Sequence, residues 1–328
     1  MFTIMHLRTF DPTLSIPEIG LGCWQLGGGW GDTTPVETTA TAILDAAYAS
    51  GTRFFDTADV YGDGLSERRL GDFRRRHPDI IIATKLGRRG IYPDGYTRDA
   101  LLAATERSRG LLGVEQLDLT QLHCVPTEVL RRGEVFTWLD EQRQDGLISR
   151  WGASVETVEE GLICLEKPNC SSLQVIFNLF RQKLAWELLP AAQARNVAII
   201  VRLPLASGLL SGRFRAGTVF ASGDHRNFNR DGAVFNVGET FAGLPYGDGV
   251  RLADEVRSLL PAGDPAAWAI RWILDHPAVT VIIPGASRPE QATANARTSA
   301  LPPLNPECHA HLKNWYRDHV HDLIRGPY

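Results

Sequence analysis

The sequence lacks several features that would place it directly in a class of protein. Its five cysteines are few, odd in number and without a C-x-x-C pair, which argues against a disulfide framework or a zinc site. No apolar run approaches the length of a membrane span, and no long apolar segment follows a basic start at the N-terminus. The net charge of −4 gives no reason to expect nucleic acid or an anionic membrane as a partner. We therefore expect a cytoplasmic protein with reduced thiols and no metal.

The standard nucleotide-binding loops are missing as well. Gly20-Leu-Gly22 has no third glycine at the spacing of G-x-G-x-x-G, and a broad glycine-rich loop follows it where a helix would be required. Neither G-x-x-x-x-G-K-[ST] nor H-E-x-x-H occurs in the chain. These absences disfavour an open doubly wound dinucleotide-binding sheet, a P-loop protein and a zinc protease.

Strand-like and helix-like segments alternate through the whole chain. Short apolar runs without polar alternation indicate strands that are buried on both faces, as in parallel sheets covered by helices. The predicted strands are residues 16–22, 53–55, 80–85, 117–123, 149–154, 173–178, 197–202 and 279–284. The predicted helices are residues 35–50, 66–76, 97–112, 129–145, 155–165, 184–195, 248–258, 265–275, 289–298 and 306–324.

Eight such units in 328 residues predict an α/β fold of the closed (β/α)₈, or TIM, barrel type, as a single domain over residues 1–328. An open doubly wound sheet fits the alternation nearly as well, and only the missing glycine fingerprint decides against it. We also expect an N-terminal β-hairpin around Asp11-Pro12, a long loop over residues 214–245 after the seventh strand, and extra C-terminal helices. The loop carries four ring-bearing residues, so we expect it to pack against the barrel as a lid.

Several chemically active side chains fall at predicted strand ends. In such a barrel the C-terminal ends of the strands share one face, which holds the active site. The residues at this face are Asp56, Lys85, His123, Ser154 and Arg202, with Tyr61 on the loop after Asp56. Each of these alone has an ordinary structural explanation, but their convergence favours a site. Cys124 follows His123 directly, so strand alternation predicts that its side chain faces the helices instead.

This set suits the protonation of a developing alkoxide, as in carbonyl reduction or its reverse. The lysine ammonium would lower the pKa of the nearby phenol, and the carboxylate would keep the lysine charged and in place. A neutral histidine would orient a substrate carbonyl by a hydrogen bond.

Six stretches carry a resemblance to a known family. They are Phe55-Asp-Thr-Ala-Asp-Val-Tyr-Gly62, Ala83-Thr-Lys85, Asp118-Leu-Thr-Gln-Leu-His123, Gly152-Ala-Ser154, Pro204-Leu-Ala-Ser-Gly-Leu-Leu-Ser-Gly212, and Ile283-Pro-Gly-Ala-Ser-Arg-Pro-Glu-Gln291 with Asn295. In this order and spacing they resemble the aldo-keto reductase superfamily, including its bacterial reductases and sugar 1-dehydrogenases. The resemblance implies a (β/α)₈ barrel and an NAD(P)-dependent oxidoreductase acting on an aldehyde, ketone or aldose. Its catalytic tetrad would be Asp56, Tyr61, Lys85 and His123.

The same resemblance implies a dinucleotide that lies across the strand ends, with NADP favoured over NAD because Arg288 could pair with a 2′-phosphate. By position, the cofactor contacts would be Gly22, Cys23, Trp24, Asp56, Ser154, Gln174, Arg202, Leu205, Ser207, Gly212, Gly285, Ser287, Arg288, Gln291 and Asn295. The substrate contacts would be Trp24, Trp30, Tyr61 and His123.

Three positions depart from the family pattern. Val155 stands where an asparagine is common, Ala294 where an acid or amide often contacts adenine, and Arg202 where an aromatic ring often stacks on the nicotinamide. The resemblance leaves open an oxidative sugar dehydrogenase, or a dinucleotide-binding, redox-sensing subunit with little turnover. The substrate, the favoured direction and the oligomeric state stay open as well.

Overall fold

Ten β-strands form two sheets in the computed structural model, which describes residues 5–28 and 35–328. The strands are β1 (Leu7–Asp11), β2 (Leu14–Pro17), β3 (Leu21–Gly22), β4 (Phe54–Asp56), β5 (Ile81–Leu86), β6 (Leu119–His123), β7 (Trp151–Ser154), β8 (Cys170–Ile176), β9 (Ala198–Arg202) and β10 (Val279–Ile282). Strands β1 and β2 are an antiparallel hairpin, and β3 to β10 pair in parallel in chain order.

Helices connect the strands of the larger sheet. They are α1 (Trp24–Gly27), α2 (Glu37–Ala49), α3 (Leu65–Arg76), α4 (Arg98–Leu112), α5 (Thr127–Arg132), α6 (Glu134–Gln144), α7 (Val158–Leu165), α8 (Leu188–Ala194), α9 (His225–Phe228), α10 (Tyr246–Leu259), α11 (Pro265–Leu274), α12 (Pro289–Arg297) and α13 (Pro306–His319). Short 3₁₀ turns occupy Lys183–Trp186, Ala206–Ser211, Val237–Glu239, Phe241–Gly243, Thr298–Ala300 and His321–Leu323. No helix within the described ranges has the length and hydropathy of a membrane span.

The larger sheet closes on itself. Ile19 pairs in parallel with Ile282, and Gly22 pairs with Gly285, so the residues beside β3 join those beside β10. The N–H of Gly20 donates to the Ile282 carbonyl at 2.8 Å, and that of Gly22 donates to the Pro284 carbonyl at 3.1 Å. The predicted (β/α)₈ barrel is therefore confirmed.

Side chains inside the barrel change from apolar to polar along its axis. At the N-terminal end, the hairpin residues Phe10 and Ile16 pack on the inward-facing side chains of the strands, including Phe54 and Leu119. Because successive side chains of a strand alternate between faces, the next inward position of β4 is Asp56 and that of β6 is Gln121. The hairpin thus fills one end of the barrel with apolar groups, and the polar groups lie towards the other end.

Several predicted elements have different bounds in the structure, and two of the differences have a clear physical cause. The predicted strand 16–22 divides, because Ile16 fills the barrel end from the hairpin and Pro17 lacks the N–H that a continuing ladder requires. The predicted helix 129–145 is two helices, since Gly133 has a φ of 81°, a left-handed conformation that ends α5.

The long segment after β9 is folded against the barrel, as its aromatic residues predicted. Phe220 is 8% exposed and packs on Phe214, Phe241 and Tyr246 with ring centroids 5.1, 5.9 and 5.7 Å away. Arg325, near the C-terminus, donates hydrogen bonds to the carbonyls of Gly243, Leu244 and Arg230. The segment therefore packs on the start of α10 and is hydrogen-bonded to Arg325 near the C-terminus. We call residues 214–245 the lid segment.

Candidate active site

The Lys85 ammonium is at the centre of the polar end of the barrel. It donates to Asp56 Oδ1 at 2.5 Å, to the Thr57 carbonyl at 2.8 Å and to the Tyr61 hydroxyl at 3.2 Å. These bonds use all three protons of an ammonium group. Lys85 and Asp56 are 1% and 3% exposed, so the pair is shielded from water. The predicted carboxylate, lysine and phenol therefore lie together.

Two glutamines hold the other oxygen of Asp56. Gln174 Nε2 donates to Asp56 Oδ2 at 2.7 Å, and Gln121 Nε2 donates to the same oxygen at 3.1 Å. The side-chain oxygen of Gln174 is buried and has no hydrogen-bond partner in the described ranges. Asp56 is thus a fully engaged carboxylate, which is suited to hold Lys85 and not to act as a general base.

Burial and pairing set the protonation of the lysine and the phenol. Burial alone would lower the pKa of Lys85, but attraction to Asp56 and Tyr61 outweighs it and raises the pKa above the ordinary value. Burial raises the pKa of Tyr61, and the lowering effect of the Lys85 charge is smaller. The net direction for Tyr61 is therefore opposite to the prediction. At neutral pH this phenol is therefore protonated.

His123 lies next to the phenol, at the end of β6. The centroids of the Tyr61 and His123 rings are 6.0 Å apart, in an edge-to-face arrangement. Burial, together with the positive charges of Lys85, Arg88 and Arg202, lowers the pKa of His123 well below its usual range. The ring is thus neutral, as the role of orienting a carbonyl requires. Its Nδ1 atom is buried without a hydrogen-bond partner in the described part of the chain.

Arg202 crosses the strand ends and joins β9 to the lid segment. Its Nε donates to Ser154 Oγ at 3.3 Å, and its Nη2 donates to the Val155 carbonyl at 3.0 Å. Its Nη1 forms an ion pair with Glu239 Oε1 of the lid segment at 2.5 Å. Attraction to Glu239 overcomes the effect of burial and raises the pKa of Arg202, which keeps the guanidinium charged.

Cys124 was predicted to face the helices, and this was wrong. Its φ of 46° turns the chain at the end of β6, where strand alternation no longer holds. Its sulfur lies 3.5 Å from Ser154 Oγ and accepts a hydrogen bond from Arg202 Nη2 at 3.6 Å. Burial raises the pKa of Cys124 to about 11, so the thiol is neutral.

The first loop brings two of its predicted residues to the mouth of the barrel. Gly22 pairs with Asp56, and Trp24 meets His225 of the lid segment edge-to-face at 4.7 Å. The side chain of Cys23 lies in the core, its N–H donates to Asp56 and its carbonyl accepts from Leu26 and Ser66. Cys23 therefore has no polar group left for a cofactor. Trp30 lies outside the described residues.

The turn after β9 carries Leu205, Ser207 and Gly212. Ser207 has a φ of 56°, and its hydroxyl donates to the Glu239 carbonyl at 3.2 Å and accepts from the Phe241 N–H at 3.1 Å. Gly212 ends the turn with a φ of 69°. Leu205 and Gly212 are half-buried. Ser207 thus fastens the lid segment to the turn.

The remaining predicted residues surround the start of α12. Gly285, Ser287 and Arg288 are exposed, and no side chain of the described residues caps this helix. Gln291 accepts from the Ser287 N–H at 2.7 Å and from its hydroxyl at 3.0 Å. Asn295 is half-buried on the same helix. An uncapped helix start with an exposed arginine is suited to bind an anion such as a phosphate group.

Comparison with known proteins decides the family. The model of the aldo/keto reductase family matches residues 18–317, nearly the whole chain. The chain belongs to the aldo/keto reductase family.

Relatives of this aldo/keto reductase differ in what their names describe. A probable voltage-gated potassium channel subunit beta of Arabidopsis thaliana is 28% identical, with 89% of this chain and 90% of the relative covered. A D-threo-aldose 1-dehydrogenase of a Pseudomonas species is 28% identical over 88% of this chain and 91% of the relative. The solved holo form of an aldo-keto reductase from Bacillus halodurans is 26% identical, with a TM-score of 0.74 over 99% of this chain and 98% of that chain. The chain is thus a carbonyl-acting oxidoreductase by family.

Sequence reasoning missed three residues that shape the site of this aldo/keto reductase. Gln121 holds Asp56, and its inward register on β6, two residues before His123, was the available signal. Glu239 pairs with Arg202, and Glu156 lies 3.8 Å from Arg88 and accepts from Asn236. Glu156 follows the end of β7 by two residues, so its position after a strand was an available signal. Nothing in the local sequence points to Glu239, because the folding of the lid segment brings it to the strand ends.

Proposed function

We propose that the chain is an NADP(H)-dependent reductase in which Tyr61 donates a proton to a substrate carbonyl. The observation that carries the proposal is Lys85 Nζ, which bonds Asp56 and the Tyr61 hydroxyl at once. The bound dinucleotide supplies the hydride. Lys85 fixes the phenol oxygen and steadies the phenolate that remains after proton transfer. Asp56 keeps Lys85 charged, and neutral His123 orients the carbonyl oxygen.

The residues present fit a nicotinamide dinucleotide. The unpartnered, buried oxygen of Gln174 would accept from the carboxamide, with Ser154 beside it. The uncapped start of α12, with Gly285, Ser287 and Arg288, would receive the phosphate of the adenosine end. Arg288 favours NADP over NAD because a guanidinium pairs with a 2′-phosphate. The further proposed contacts are Gly22, Trp24, Asp56, Arg202, Leu205, Ser207, Gly212, Gln291 and Asn295.

The state of Tyr61 also bears on direction. A phenol whose pKa is raised keeps its proton at neutral pH, so reduction needs no prior ionisation. Oxidation of an alcohol or aldose needs the phenolate, and its rate would rise with pH. A sugar 1-dehydrogenase is the second candidate, supported by the aldose dehydrogenase among the relatives. A redox-sensing subunit is the third, supported by the channel subunit.

The proposal also covers the cellular compartment, the domain organisation and the partner of the chain. All five cysteines are free thiols, which suits a reducing cytoplasmic compartment. The family match over residues 18–317 supports one barrel domain for the whole chain. The partner would be a small carbonyl compound or sugar.

A binding and turnover screen tests the proposal. NADPH and NADH are titrated by protein fluorescence, and the preferred dinucleotide is then offered with simple aldehydes, ketones and aldoses at pH 7 and pH 9. We expect tighter binding of NADPH and fastest turnover in aldehyde reduction. Turnover confined to aldose oxidation would favour the second candidate, and binding without any turnover the third. A chain that binds neither dinucleotide would refute the proposal.

A further inference from the structure

One arginine lies where the proposed nicotinamide and the substrate would meet, and the lid segment supplies its counter-charge. Arg202 is 8% exposed and is held by Ser154, by the Val155 carbonyl and by Glu239 Oε1 at 2.5 Å. Its hydrogen bonds to β7 fix the guanidinium in place. Glu239, in contrast, belongs to the lid segment, and its backbone carbonyl accepts a hydrogen bond from the Ser207 hydroxyl.

Without Glu239 this corner of the barrel would have excess positive charge. Among the described residues, Arg88 and Arg181 are cations near Arg202. Glu156 is a second carboxylate there: it acts on Arg202 and also lies 3.8 Å from Arg88. Arg181 is 2% exposed, and its Nη1 has no hydrogen-bond partner in the described residues. Removal of Glu239 would therefore leave one nearby carboxylate among the described residues, Glu156, to offset three arginines.

A nicotinamide ring is sensitive to such a charge, because its oxidised form carries a positive charge and its reduced form is neutral. The carbonyl would be held by Tyr61 and His123, so the ring must come close to both. The charge of Arg202 acts on His123, and that of Glu239 acts on Tyr61. Arg202 Nε also lies 3.3 Å from Ser154 Oγ, the proposed carboxamide contact, so a ring bound there would lie within the field of both members of the ion pair.

We propose that Glu239 is a positioning residue that sets the relative affinity of the enzyme for oxidised and reduced dinucleotide by neutralising Arg202. With Glu239 in place, the oxidised ring meets a neutral pair. Without it, an oxidised ring would meet a guanidinium offset only by Glu156 and would bind more weakly, whereas the neutral reduced ring would be little affected. This inference rests on the proposed function, and it explains how an arginine is tolerated at this position.

The test is the ratio of two dissociation constants, for NADP⁺ over NADPH, measured by titration calorimetry. Glu239→Gln should raise this ratio about tenfold, as expected for an uncancelled charge in a partly shielded site. Glu239→Asp should keep it near the wild-type value. Arg202→Gln should lower it, because Glu239 is then the unpaired charge, and the double variant should return it to the wild-type value.

A matched control separates charge from loosening of the lid segment. Arg325→Gln removes hydrogen bonds to Gly243 at 3.0 Å and to Arg230 at 2.9 Å and leaves the Arg202 pair intact. It should weaken both dinucleotides in parallel and leave the ratio unchanged. An unchanged ratio in Glu239→Gln, or the same rise in the double variant, would overturn the inference. Failure of the wild type to bind either dinucleotide would instead refute the proposed function.

Discussion

Replacement of Asp56 by asparagine should expose how strongly the fold depends on its central ion pair. The carboxylate lies 2.5 Å from Lys85 Nζ, and both residues are almost completely buried. In Asp56→Asn the ammonium keeps only neutral partners, the Thr57 carbonyl and the Tyr61 hydroxyl. Removing one partner of a buried pair costs about 3–5 kcal/mol, because the other charge stays uncompensated. We expect the free energy of unfolding at pH 7 to fall by that amount.

The pH dependence of this loss gives a sharper test. In the wild type the pKa of Lys85 is raised, so the stability that the pair contributes is complete below the unfolded pKa of about 10.4. It is lost only as the pH rises through the folded pKa. In Asp56→Asn, burial without a counter-charge should lower the pKa of Lys85, so the unfolded chain binds a proton that the folded chain rejects. The variant should therefore recover part of its deficit between pH 7 and pH 10.

Urea unfolding followed by tryptophan fluorescence at pH 7 and pH 9.5 measures both effects. Asp63→Asn is the matched control, since Asp63 lies on the loop that follows Asp56 and its side chain is 69% exposed in its ion pairs with Arg89 and Arg107. Exposed pairs contribute about 1 kcal/mol or less, so the control should stay close to the wild type. A loss below about 1 kcal/mol in Asp56→Asn, or a loss that is equal at both pH values, would refute the reasoning.

Two further substitutions probe the loop that follows Asp56. Burial and the nearby Glu67 raise the pKa of Asp59 to about 7, so its stabilisation is complete only in acid and declines as the pH rises towards 7. Asp59→Asn should raise the free energy of unfolding by about 2–4 kcal/mol at pH 8 and by little at pH 4, and equal gains in urea titrations would contradict this. Gly62 has a φ of 59°, and a Cβ there would lie 2.0 Å from the Gly27 carbonyl oxygen. Gly90 has a similar φ of 63°, but no atom of the described residues lies within 4 Å of a Cβ placed there. Gly62→Ala should therefore cost at least about 2 kcal/mol more than Gly90→Ala, and similar losses in thermal unfolding would contradict the steric argument.

The sequence predicts the barrel well because both of its signals are local. Apolar runs mark the strands, and polar residues at the ends of β4, β5 and β6 mark the site face. Predictions from strand alternation fail where the backbone conformation changes and no residue type in the sequence indicates the change. Cys124 has a positive φ and turns towards Ser154, although alternation predicted the opposite face. Gly133 did offer a signal, and the helix was still predicted as continuous.

Protonation and long-range pairing are harder to predict from sequence. The pKa of Tyr61 depends on how far burial outweighs Lys85, and burial is a property of the whole fold. The pairing of Arg202 with Glu239 joins residues that are 37 positions apart through an irregular segment. Such a partner has no periodic signal in the sequence. The tetrad and Arg202 were predictable because each lies at or shortly after a strand end, whereas Glu239, the partner of Arg202, was not.

The most direct test of the central claim compares Tyr61→Phe with Tyr96→Phe. The second variant also removes a buried phenol, which donates to the Gly87 carbonyl at 2.9 Å and is not bonded to Lys85. NADPH binding is measured by fluorescence, and aldehyde reduction is followed in the same samples. We predict that Tyr61→Phe loses about 100-fold or more in kcat and binds NADPH as the wild type does, whereas Tyr96→Phe retains its kcat. Full turnover by Tyr61→Phe would contradict the account.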